Sequence, residues 1–102
     1  MGNKVVSNTG PLLHLDEVGL SIALKIFRDI YIPPEVKKEL KKHKVKIIKK
    51  VKVIALKSKF NDVAKILTDK YDLDLGEAQA IALALQERVD YFLTDDLDAR
   101  TV

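Results

Sequence analysis

The chain of 102 residues contains no cysteine and no tryptophan, and only two histidines, four glycines and three prolines. Without cysteine there is no disulfide framework, no thiolate-bound zinc or iron–sulfur cluster, and no thiol nucleophile. His14 and His43 lie far apart in sequence and read as surface or helix-end residues, so any metal must be held by oxygen. No window approaches the roughly 18 apolar residues of a membrane span, and Met1-Gly2-Asn3-Lys4 does not lead into the apolar core of a secretion signal. The expectation is a soluble protein of the reducing cytoplasm with no membrane contact. Disorder is disfavoured as well, because 47% of the residues are hydrophobic and can repay the entropy of ordering. With no repeat and no low-complexity linker, residues 1–102 read as one small domain.

What the chain does have is lysine, and it is segregated. Residues 37–59 hold 11 of the 18 cationic residues and a single acid, Glu39, whereas the other 79 residues carry 7 bases against 14 acids. The net charge of +3 therefore conceals a strongly basic segment beside an acidic remainder. Such a segment suits a polyanion, although a solvated lysine face explains it equally well. Only Phe60, at its end, could stack on a base, so any nucleic-acid binding there should be driven by phosphate contacts.

Local signals alternate between strand and helix. Residues 4–7 are β-prone and run into Asn8, Thr9, Gly10 and Pro11, where polar capping residues and a proline predict a strand-to-helix turn with a helix starting near Pro11. Gly19 should interrupt that helix, and Leu20, Ile22, Ala23, Leu24, Ile26 and Phe27 resume helical spacing. Residues 30–32 read as a second strand, and residues 34–43 as a helix with Pro34 in its first turn and lysines in its last. Residues 44–56 alternate lysine with Val and Ile, which predicts an edge strand guarded by charge. A helix over residues 58–69 should bury Phe60, Val63, Ala64 and Leu67. Asp74-Leu75-Gly76-Glu77 has the form of a capping box, opening an Ala- and Leu-rich helix to Arg88 whose stripe of Ala78, Ile81, Ala82 and Leu85 should pack on a sheet. Residues 91–94 form a last strand ahead of Asp95-Asp96. Strands alternating with helices imply an α/β fold with parallel pairing and right-handed crossovers.

In a parallel sheet, ligand sites gather where strand ends lead into helices. Asn8 follows the first strand, Asp95 and Asp96 follow the last, and Glu39 and Glu77 each lie on a helix, the one after Pro34 and the Ala-rich one. Carboxylates without Cys or His suit a hard cation such as Mg²⁺ or Mn²⁺, and that pairing is used for phosphodiester hydrolysis. Each residue also has a purely structural explanation. Glu77 belongs to the capping box, Asp95 and Asp96 could cap a helix, Glu39 could pair with Lys42 or His43, and Asn8 is a good turn residue.

Four blocks taken in order resemble the PIN-domain nucleases: Val5-Val6-Ser7-Asn8-Thr9-Gly10-Pro11-Leu12, Ile32-Pro33-Pro34-Glu35-Val36-Lys37-Lys38-Glu39-Leu40, Leu73-Asp74-Leu75-Gly76-Glu77-Ala78-Gln79-Ala80-Ile81-Ala82, and Phe92-Leu93-Thr94-Asp95-Asp96. They are most similar to the VapC-like prokaryotic branch. That resemblance implies a three-layer α/β/α fold with a mostly parallel sheet and a Mg²⁺- or Mn²⁺-dependent endoribonuclease, often the toxin partner of a small antitoxin. Carried over by position, it implies metal and catalytic roles for Asn8, Glu39, Glu77 and Asp96, with Asp95 as the alternative for the last place and Thr94 as the neighbouring hydroxyl. RNA would be guided by Lys37, Lys38, Lys41, Lys42, Lys44, Lys46, Lys49 and Lys50. Two departures matter. Asn8 stands where the family usually has Asp, and family members usually continue past the position of Val102 with a last strand and helices, which suggests a shortened domain that self-associates as a homo-oligomer. A protein that binds RNA without cutting it and a protein-binding module are the rivals.

Overall fold

Val5 and Val6 are β-branched, favour extended backbone, and lie at the centre of the sheet in the computed structural model. The structure describes residues 3–18, 27–44 and 51–93. Among them the elements run β1 (Asn3–Ser7), α1 (Thr9–Val18), β2 (Phe27–Ile32), α2 (Pro34–Lys42), β3 (Lys52–Val53), α3 (Ser58–Tyr71), α4 (Leu75–Glu87) and β4 (Tyr91–Leu93). All pairings are parallel, and the strand order is β3-β2-β1-β4. This is the expected α/β architecture, a parallel sheet with flanking helices. The central strands are buried on both faces, since Val5, Val6, Ile30, Tyr31 and Ile32 are all in the core despite alternating direction. No helix among the described residues is long and apolar enough to cross a membrane.

Several sequence expectations shift. β2 begins at Phe27 rather than Ile30, because Phe27 pairs with Asn3 of β1; parallel pairing to a distant strand overrides the local helical spacing. The expected helix over residues 20–26 lies outside the described residues. Of the proposed edge strand over 44–56, only Lys52–Val53 pairs among the described residues, and it does occupy the sheet edge. Lys52 also forms an ion pair of 3.0 Å with Asp29 on β2.

α4 buries two faces, where the sequence suggested one. Ala78 and Ala82 meet Ala64 of α3, with Phe60, Val63 and Leu67 alongside as expected for that helix. Ala80 and Leu83 instead pack on Val6 and Tyr31 of the sheet. Leu85, assigned to the packed stripe, is 58% exposed, because the sheet-facing side of α4 is set by Ala80 and Leu83. The small residues thus bring α4 close to α3, and the larger Leu83 fills the space over the sheet.

Strand order positions the site. β2 and β3 extend to one side of β1 and β4 lies on the other, so the topology reverses between β1 and β4. A parallel sheet offers its ligand crevice at such a switch point, beyond the carboxyl ends of the strands. The backbone N–H of Asn8 donates to the Leu93 carbonyl at 3.0 Å and ties those two strand ends together.

Candidate functional site

Asn8 is the first residue past β1 and is almost fully buried. Its Oδ1 accepts the backbone N–H of Thr9 at 2.8 Å, while the Ser7 hydroxyl donates to its carbonyl at 2.9 Å. The amide therefore holds the strand-to-helix turn, the structural role foreseen for it. An amide oxygen carries two lone pairs, so one acceptor position on Oδ1 remains beside that bond.

Glu39 reaches the same edge from α2. Pro33 stops β2 and α2 starts at Pro34, the place where a proline costs a helix no hydrogen bond. Val36 and Leu40 are buried on one face of α2, and Glu39 lies half-buried beside that face. Its Oε2 accepts the Thr9 hydroxyl in a short hydrogen bond of 2.6 Å. The pairing with Lys42 or His43 considered from helix spacing does not form; the turn after β1 supplies the partner instead. Its other oxygen, Oε1, faces Gly76, and a Cβ built there would lie 2.5 Å from it.

α4 brings the remaining described acids. Asp74 caps it, with Oδ1 accepting the Glu77 N–H at 2.8 Å, so the foreseen cap is present. Glu77 occupies the first turn of α4. Asp74 Oδ1 and Glu39 Oε1 both lie within 3.5 Å of the Gly76 Cβ position, which makes the two carboxylates neighbours. Among the described residues neither has a cationic partner. α2 is also fastened to α4, because Gln79 Oε1 accepts the Glu35 backbone N–H at 3.1 Å.

Asn8, Thr9, Glu39 and the start of α4 thus meet beyond the strand ends. β4 stops at Leu93, and Thr94, Asp95 and Asp96 lie outside the described residues. Among the described residues no three acidic or histidine side chains are close enough to hold a metal ion. The donors that do converge are all oxygen, the class that suits a hard divalent cation. Thr9, Gly76 and Gln79 were missed in the sequence. A glycine within the first turn of an otherwise Ala- and Leu-rich helix was the available signal, since it weakens the helix unless something approaches closely.

Lysines cluster on α2. Lys38, Lys41, Lys42 and Lys44 are exposed along α2 and just past its end, with Lys37 half-buried, and the 3.9 Å contact of Lys38 with Glu35 is loose. Lys46, Lys49 and Lys50 lie outside the described residues. His43 is exposed at the C-terminal end of α2, where its backbone N–H donates to the Glu39 carbonyl.

A family model described as PIN domain matches residues 4–102. Searches of curated proteins and of solved structures returned no match.

Proposed function

The chain belongs to the PIN-domain family, and from that premise we propose that it is a metal-dependent endoribonuclease whose site is the acidic edge between β1, α2 and α4. The observation that carries this reading is Glu39, an acid placed at the topological switch point with one oxygen held by Thr9 and no cation beside it among the described residues. A carboxylate with no cation beside it at a strand-end crevice attracts one from solution. Glu39, Glu77 and Asn8, with Asp96 or Asp95 from the segment after β4, would hold Mg²⁺ or Mn²⁺. Such an ion, when bound, supplies a water of lowered pKa and stabilises charge on the phosphoryl oxygens. Asn8 holds the turn that presents Thr9, Asp74 caps the helix that carries Glu77, and the lysines of α2 draw the polyanion to the edge. The motif likeness to the VapC-like branch extends the proposal to a cytoplasmic toxin restrained by a small antitoxin.

A second reading is favoured by Asn8 itself. Its amide brings no charge and already serves the turn, an arrangement suited to a protein that binds RNA without cutting it. Calorimetry with Mn²⁺ on the parent, Glu39→Gln and Glu77→Gln tests the site. The parent should bind, and each variant should bind at least about tenfold more weakly while remaining folded. Unchanged affinity in both variants removes the shared-site reading.

Phosphate-driven binding makes a separate prediction. RNA affinity should fall steeply with salt, and replacing Lys38, Lys41, Lys42 and Lys44 together with Gln should flatten the log–log slope by about 0.7 for each phosphate no longer neutralised. A parent whose affinity ignores salt would leave these lysines as a solvated face.

A further inference from the structure

Glu39 is held from two sides, and the two oxygens of its carboxylate are treated differently. Oε2 accepts the Thr9 hydroxyl at 2.6 Å, whereas Oε1 has no hydrogen-bond donor among the described residues and lies over Gly76. Thr9 is 7% exposed, so its hydroxyl is sheltered from competing water, and the bond it donates to a charged acceptor is of the stronger kind. On the opposite side, the space taken by Oε1 is space that any side chain at position 76 would need.

We infer that Thr9 and Gly76 are positioning residues for Glu39: Thr9 anchors Oε2, and Gly76, by lacking a side chain, leaves Oε1 turned toward the start of α4 as the oxygen available to a ligand. This deepens the reading of Glu39 as a metal ligand and rests on it. A glutamate has three side-chain torsions, and an unanchored carboxylate on a half-buried helix face would sample several rotamers. Fixing one oxygen selects the rotamer in advance, which is how groups behind a metal ligand raise affinity without touching the metal. The device joins three elements, since Thr9 opens α1, Glu39 lies on α2 and Gly76 is in the first turn of α4. The bond from Gln79 to the start of α2 holds the last two in register.

Two readouts test this. In metal-free urea unfolding, Thr9→Val should lower the midpoint when made in the parent and should not lower it in the Glu39→Ala background, where the hydroxyl has already lost its acceptor. In Mn²⁺ calorimetry, Thr9→Val should bind about tenfold more weakly and Thr9→Ser, which keeps the hydroxyl, should stay within about threefold of the parent. Equal destabilisation by Thr9→Val in both backgrounds, or parent-like Mn²⁺ affinity in a folded Thr9→Val, overturns the inference. A parent that binds no Mn²⁺ defeats the nuclease proposal instead, and the coupling between positions 9 and 39 then decides the positioning role by itself.

Discussion

Replacing Gly76 with alanine is expected to leave the protein folded yet lower its Mn²⁺ affinity by about tenfold or more. The new Cβ would stand 2.5 Å from Glu39 Oε1, closer than non-bonded atoms allow. Something must move, and the end of a flexible glutamate moves more cheaply than the backbone of either helix. Gly76 lies in an ordinary helical turn, so alanine adds helix propensity, worth at most about 1 kcal/mol, which offsets part of the cost of the clash. Turning Oε1 away also strains the 2.6 Å bond from Thr9 to Oε2. Stability and metal affinity should therefore separate: thermal unfolding changes by a few degrees while calorimetry shows the loss. Should Gly76→Ala bind Mn²⁺ as tightly as the parent, the room at position 76 has no bearing on the site.

Leu83→Ala should produce the largest loss of stability. Leu83 is fully buried and joins α4 to the sheet through Val6 and Tyr31, with Ile54, Leu56 and Phe92 around that cluster. Truncation to alanine leaves a cavity in a rigid interior, at a cost of about 2–5 kcal/mol. Against a domain stability of about 5–15 kcal/mol, that is a large share. A fall in melting temperature of roughly 10 °C or more follows for a domain of this size. The same substitution loosens the helix whose first turn carries Glu77 and Gly76, so metal affinity should decline with stability, unlike in Gly76→Ala. A melting temperature within about 2 °C of the parent would mean that α4 does not seat on the sheet through this residue.

These two variants also mark what the sequence reveals and what it conceals. The start of α4 is readable because Asp74 and Glu77 are three residues apart and the cap is a local event. The helix after Pro33 is readable for the same reason, as proline fixes its own backbone angle. The parallel sheet follows from alternating strand and helix signals, and Glu39 reaches its edge on the helix that begins at Pro34. The full length of β2 is hidden, since its first residues gain their conformation from pairing with β1, a partner that periodicity cannot name. Leu85 is misplaced by spacing alone because an Ala-rich helix offers two plausible faces, and only contact with the sheet decides that Ala80 and Leu83 face it while Leu85 is left outside. The bond from Thr9 to Glu39 spans 30 positions along the chain. Nothing in the spacing of either block discloses it, although Gly76 hints that a group from elsewhere comes close.

Cleavage of a labelled single-stranded RNA by the purified protein tests the proposed divalent-ion-dependent cutting at the edge that holds Glu39. Three reactions run side by side: parent with Mn²⁺, parent with Mn²⁺ and excess chelator, and Glu39→Gln with Mn²⁺. Fragments should appear in the first, none in the second, and the third should be slower by roughly a hundredfold or more, because the variant loses a charged oxygen at the ion's position. RNA that stays intact with Mn²⁺, or cutting that proceeds as fast in Glu39→Gln as in the parent, would rule out metal-dependent cleavage at Glu39.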